Sequence, residues 1–129
     1  MDNKAICFAI RYPQGKKAKA EWNKRFSLNA YLGRKSHYER VKDVRHIHTL
    51  VMFALKEYRV PQKMFDCPVE ITFYWDDRLD IDNHAALGKM IVDCLKKYLI
   101  FDDNPKWFKR VTHAFWDGGQ IGVEVKPWA

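Results

Sequence analysis

The chain has 129 residues, of which 47% are hydrophobic and 15% aromatic, and it carries a formal net charge of +7. That length suits one domain spanning 1–129 and is short for two, and the apolar content excludes disorder as the default state. No apolar run approaches the ~20 residues that span a bilayer, and Met1 to Ile10 lacks the small-residue cleavage site of a leader peptide.

Ala5 to Tyr12 (AICFAIRY) is an apolar, β-favouring run closed by Pro13 and Gly15, and it predicts a first strand. Gln14 to Arg25 is polar and lysine-rich, and it reads as a mobile basic loop. Ser27 to Lys35 looks like a short turn or helical piece broken at Gly33. From Tyr38 to about Tyr58, apolar residues at 38, 41, 44, 47, 51, 54 and 55 recur at three and four, the spacing of an amphipathic helix ended by Pro61. Pro68 to Trp75 (PVEITFYW) predicts a second strand. Asn83 to Tyr98 predicts a second helix with Asp82 as its N-cap, followed by the acidic loop Phe101 to Pro105. Finally, VTHAFWD and QIGVEVK flank Gly118–Gly119, the signature of a tight β-hairpin. The order strand, helix, strand, helix, hairpin predicts an α+β fold, with one mixed or antiparallel sheet packed by two helices.

Charge is unevenly placed. Residues 1–50 hold 12 Lys/Arg against 4 Asp/Glu, whereas residues 51–129 hold 11 against 12. A basic N-terminal half attracts polyphosphate, because contacts to phosphates release condensed counterions; the competing reading is a solubilising surface. Cys7, Cys67 and Cys94 are odd in number and scattered, which fits free thiols in a reducing cytoplasm better than disulfides or zinc.

Acids gather where the second strand meets the second helix, at Asp76, Asp77, Asp80 and Asp82, with Asp102 and Asp103 after that helix. Clustered carboxylates repel unless a cation sits among them, and hard oxygen donors suit Mg²⁺ or Mn²⁺. At ~100° per residue, Asp82, Lys89 and Asp93 share one helix face within about 40°. Leu87, Ile91, Cys94, Leu95 and Tyr98 fall on the opposite face, which predicts it as the buried side. A solvated Lys–Asp pair explains Lys89 and Asp93 equally well, but helix capping needs only one of Asp80 and Asp82. An EF-hand beginning at Asp80 is excluded by Ala85 and Ile91. His46 and His48, two apart on a helix, do not share a face and do not read as a metal pair.

The stretch DIDNHAALGKMIVDCL, Asp80 to Leu95, followed by Asp102–Asp103, resembles the signature of the RusA-type Holliday junction resolvases. Its parts are D-x-D-N, a helix with a lysine and a D-x-L, then an acidic pair. Ser27-Leu28-Asn29, the N-terminal strand and the C-terminal hairpin match the family loosely. The family's lysine stands four residues after the second aspartate; here that position is Ala86, and Lys89 comes one helical turn later on the same face.

The resemblance implies a RusA-like fold and a homodimeric, cytoplasmic, bacterial or phage-encoded endonuclease of four-way DNA junctions, serving DNA recombination and repair. It implies metal-binding Asp80, Asp82 and Asp103, a catalytic Lys89 and a Mg²⁺ cofactor for which Mn²⁺ substitutes. Lys16, Lys17, Lys19, Lys24, Arg25, Arg34 and Lys35 are then the candidates for contacts to the DNA backbone. Trp22, Phe26 and Tyr31, set among those charges, either pack in the core or stack on bases. A non-cleaving DNA-binding module and a metal-dependent hydrolase of small phosphoesters are the competing readings.

Overall fold

The computed structural model describes residues 4–33 and 35–128. Four strands form one mixed sheet: β1 (Ile6–Arg11), β2 (Val69–Trp75), β3 (Phe108–Phe115) and β4 (Gln120–Pro127), in the order β1-β4-β2-β3. β4 is antiparallel to both β1 and β2, and β3 is parallel to β2. Four helices accompany them: α1 (Lys16–Phe26), α2 (Leu28–Leu32), α3 (His37–Glu57) and α4 (Ala85–Leu95). The fold is therefore α+β, as the sequence predicts. No helix of the described residues is long and apolar enough to cross a membrane.

One face of the sheet makes the core. Alternation along β2 buries Val69, Ile71, Phe73 and Trp75, and the register aligns Phe73 with Val123 of β4, itself paired to Phe8 of β1. α3 contributes Ile47, Val51, Ala54 and Leu55 to this core; α4 contributes Leu87, Met90, Ile91 and Leu95. α4 lies close to the sheet at Gly88, where a Cβ would stand 3.1 Å from His113 Cε1 and 3.3 Å from Phe73 Cε2. Glycine thus lowers helix propensity at that position but lets the helix approach β2 and β3.

Three expectations need correction. The basic segment predicted as a loop over Gln14–Arg25 is mostly the helix α1. Its alanines and lysines are good helix formers, but it has only two buried anchors, Trp22 and Phe26, whose rings lie 4.5 Å apart. Two anchors at one end are too few to produce a visible period.

The predicted helix from Asn83 to Tyr98 is shorter and starts differently. A 3₁₀ turn, Ile81–His84, precedes α4, and Asp82 lies inside that turn instead of capping a helix. The chain leaves α4 at Lys96, and Lys97 adopts φ 65°.

The C-terminal strands do not form a hairpin, because β2 lies between β3 and β4. Trp116 to Gly119 arches over the end of β2, a span of roughly 10 Å at the usual strand spacing. Two bonds fasten the arch: the Trp116 N–H donates to the Trp75 carbonyl (3.0 Å), and the Gly119 N–H to Asp76 Oδ2 (2.8 Å). The Trp116 ring lies against Tyr74 and over Gly122, where a Cβ would come within 2.9 Å of it.

α1 and α3 are joined through a buried carboxylate. Asp43 sits four residues before Ile47, on the inward stripe of α3, and is 3% exposed. Its oxygens accept from Arg25 Nε and Lys35 Nζ, each at 2.5 Å, and Lys35 also donates to the Arg25 carbonyl. We expect Asp43→Ala to destabilise the fold by roughly 2–3 kcal/mol in chemical denaturation. That is less than the ~3–5 kcal/mol of a fully buried pair, because the Arg25 side chain remains 38% exposed. A loss below about 0.5 kcal/mol would mean that the two cations merely rest on the surface.

Candidate functional site

The acidic segment after β2 is held from beneath. His84 is 1% exposed and stacks on Trp75 at 4.4 Å between centroids. Its Nε2 lies 2.8 Å from both oxygens of Asp77, and its Nδ1 lies 3.1 Å from the Ile81 carbonyl. Both ring nitrogens therefore face acceptors. Asp77 also accepts from the Leu79 N–H (3.0 Å) and from the Tyr12 hydroxyl (3.4 Å), while that hydroxyl accepts from the Asp76 N–H (3.0 Å). Burial, and then the charges of Asp77 and Asp76, push the Tyr12 phenol upward against the lowering effect of its bond to Asp76. Asp77 is thus structural, whereas the Asp76 carboxylate is exposed and accepts only the Gly119 N–H.

Asp80 and Asp82, like Asp76, are exposed. The Asp80 backbone carbonyl accepts from the Asn83 N–H at 2.9 Å. Among the described residues, neither carboxylate takes part in a hydrogen bond or ion pair. Asn83 turns to the other side, where its Oδ1 accepts from the Asn29 N–H (3.1 Å) at the start of α2. Ser27 caps that helix through the Ala30 N–H (3.1 Å). The Ser27-Leu28-Asn29 element and the Asp80–Asn83 element, far apart in sequence, are therefore neighbours.

Lys89 and Asp103 come together further along α4. Lys89 Nζ lies 3.3 Å from Asp93 and 3.7 Å from Asp103, and Lys96 Nζ lies 3.3 Å and 3.4 Å from the same two carboxylates. Two cations and two anions form a closed network that ties the loop after α4 back to the helix. Burial raises the Asp103 carboxyl, but a hydrogen bond with Asp102 and the ammonium groups of Lys96 and Lys89 outweigh it and hold the carboxyl below its ordinary value. Lys96 is shifted upward, since Asp93 and Asp103 outweigh its own desolvation. Lys89 and Asp103 also line a hollow of about 240 Å³ with Phe73, Gly88, Val92 and His113.

The structure brings Lys89 to Asp103, but Asp80, Asp82 and Asp103 do not converge. Among the described residues, no three His, Cys, Asp or Glu side chains form a group that could hold a metal ion. Asp80 and Asp82 nonetheless fit a hard divalent cation by chemistry, as free and exposed carboxylates. Asp103 is instead engaged by Lys96 and Lys89.

Of the predicted DNA-contacting cations, Lys16, Lys17, Lys19 and Lys24 are exposed on α1. Arg25 and Lys35 are held by Asp43, and Arg34 lies outside the described residues. Trp22 and Phe26 are core residues; Tyr31 is exposed and carries Arg40 over its ring at 5.0 Å.

Sequence reasoning missed His84, Tyr12 and His113, and it placed Asp77 in the acidic cluster without its inward, structural role. The pattern D-N-H holds His84, but nothing in its spacing marks the imidazole as the inward-facing group. No protein-family model matches the chain, and no curated protein matches it either.

His113 supplies a titration. Trp75 Nε1 donates to its Nδ1 at 3.0 Å, so that nitrogen carries no proton. Burial and then the neighbouring His84 lower its pKa below the ordinary 6.5. A histidine whose pKa falls on folding takes up a proton on unfolding, so its stabilisation is full above ~6.5 and fades as the pH falls towards the folded value. His46 is shifted the same way by burial and Arg25. Melting temperature should therefore drop between about pH 7 and pH 5, and His113→Gln, which keeps an acceptor for Trp75, should drop less. An unchanged slope in the variant would remove His113 from this balance.

Proposed function

We propose that the chain is a magnesium-dependent, structure-selective endonuclease of branched DNA, similar in kind to the RusA-type Holliday junction resolvases. The observation that carries this reading is the Asn29–Asn83 bond, which sets the two matching sequence elements side by side. It also places the acidic turn beside the helices that follow the basic segment. A hydrolase of small phosphoesters gives no role to that basic segment.

On this reading Asp80 and Asp82 hold the metal, joined by Asp103 once it is released from Lys96 and Lys89. A bound magnesium ion would supply Lewis-acid polarisation of the phosphodiester and a more acidic attacking water. Lys89 acts as a point cation towards charge developing on the phosphate. The α1 lysines hold the DNA arms through their phosphates, which fixes position without reading sequence. Paired cuts in opposing strands call for two sites, so the working unit is a two-fold dimer.

The test is cleavage of a labelled four-way junction and a matched duplex, with and without Mg²⁺. Asp80→Asn, Asp82→Asn and Asp103→Asn should each abolish cleavage and leave junction binding intact. Lys89→Ala should slow single-turnover cleavage by on the order of 10²–10³. Full activity in any folded aspartate variant removes that residue from the site, and a Lys89→Ala rate within about twofold of wild type returns Lys89 to a surface ion pair.

Assembly is tested separately. The chain should sediment as a dimer, with junction affinity falling at least ~10²-fold between ~50 and ~200 mM salt. A monomer that still makes paired cuts would defeat the symmetric arrangement.

A further inference from the structure

Between α1 and the end of β2 lies an open cleft of about 760 Å³. α1 forms one wall with Gly15, Lys16, Lys19, Ala20 and Asn23; Tyr12, Asp76, Asp77 and Arg78 form the other. Among the described residues, Lys16, Lys19 and Arg78 take part in no ion pair. The two carboxylates on the wall are already engaged. Asp77 faces His84, the Leu79 N–H and Tyr12, and Asp76 accepts the Gly119 N–H.

The cleft therefore presents three unpaired cations beside Asp77, which is held by His84, and Asp76, whose Oδ2 accepts one backbone N–H. Lys16 and Lys19 stand three apart, on one side of α1. No acidic residue occupies the first turn of that helix, and no side chain caps it. Its free N–H groups add partial positive charge at the Gly15 end.

We propose that this cleft is a binding site for the phosphodiester backbone of one nucleic-acid strand, with Lys16, Lys19 and Arg78 as its phosphate contacts. This deepens the nuclease reading and rests on it for the identity of the polymer. Compact ammonium groups and a guanidinium fork, with the Asn23 amide, match phosphate oxygens. At about 760 Å³, with cations on both walls, the cleft is far larger than a lone phosphate and suits successive phosphates of a strand. Arg78 is two residues from Asp80, so a strand held here runs beside the exposed aspartates.

The experiment measures binding of a labelled single-stranded oligonucleotide in EDTA, where no hydrolysis is required. Two triple variants of identical net charge are compared: Lys16→Glu/Lys19→Glu/Arg78→Glu in the cleft, and Lys42→Glu/Lys56→Glu/Lys63→Glu elsewhere on the surface. The cleft variant should bind at least ~10-fold more weakly than the matched one, and its log–log salt dependence should lose about two units of slope. Arg78→Gln alone should weaken binding in the same direction while melting as the wild type does, which separates lost contacts from lost folding. Equal losses in the two triple variants would overturn the site. So would displacement of the oligonucleotide by polyglutamate of matched charge, which would assign the cleft to acidic peptides, or by a nucleoside monophosphate at a similar concentration, which would assign it to a small ester. Wild-type binding and cleft dependence without any Mg²⁺-dependent cleavage would retain the site and refute the nuclease.

Discussion

The geometry of the candidate site depends on the contact between His84 and Asp77. β2 ends at Trp75, and the chain must turn from strand to helix within a few residues while leaving no buried polar group unpaired. His84 does this by stacking on Trp75 and meeting the Asp77 carboxylate and the Ile81 carbonyl. Because His84 is drawn inward at the last position of the 3₁₀ turn, Asp80 and Asp82 are left on its outer side. Tyr12 of the segment after β1 closes the same arrangement through Asp77 and Asp76. One buried pair thus turns Asp77 inward and leaves Asp80 and Asp82 facing solvent.

The basic half of the chain is divided in a similar way. Asp43 takes two cations, Arg25 and Lys35, and with them joins the end of α1 and the start of α3. Among the described residues, those left without an ion pair include the lysine side of α1, Lys42 and Arg45, together with Arg78 on the opposite wall of the cleft. Net charge alone therefore overstates what is available to a polyanion, and the ion pairs show where the surplus lies.

Much of the fold was legible because burial on one sheet face and one helix stripe leaves a period. β1, β2 and α3 follow from alternation and from the three-four spacing, and the inward face of α4 carries Leu87, Ile91 and Leu95 as its spacing predicts. What failed was non-periodic. α1 has too few anchors to show a stripe. Gly118–Gly119 specifies a chain reversal but not which strand lies beneath it, and here β2 does. Asp43 sits on a stripe that the pattern reserves for apolar residues, and only its partners, from segments before it, make that burial tolerable. At the candidate site, the sequence marked Asp80, Asp82, Lys89 and Asp103, yet spacing along a helix cannot say that Lys89 meets Asp103 while Asp82 stands apart.

The distribution of pairing separates a site from an ordinary charged surface. Exposed ion pairs contribute about 0–1 kcal/mol, so stability alone neither requires nor forbids them. Where this chain needs a segment fastened, it pairs its acids: Asp43 fastens α1, and Asp93 with Asp103 fastens the loop after α4. Asp80 and Asp82 fasten nothing, and neither do Lys16, Lys19 and Arg78. These two unpaired sets of opposite sign stand near one another, since Arg78 is two residues from Asp80 and Asn83 is bonded to the start of α2. Keeping them apart leaves each set open to a partner of its own: a cation for the carboxylates and an anion for the cleft. On the nuclease reading proposed above, those partners are a metal ion and a phosphodiester strand, which a single reaction brings to adjacent places.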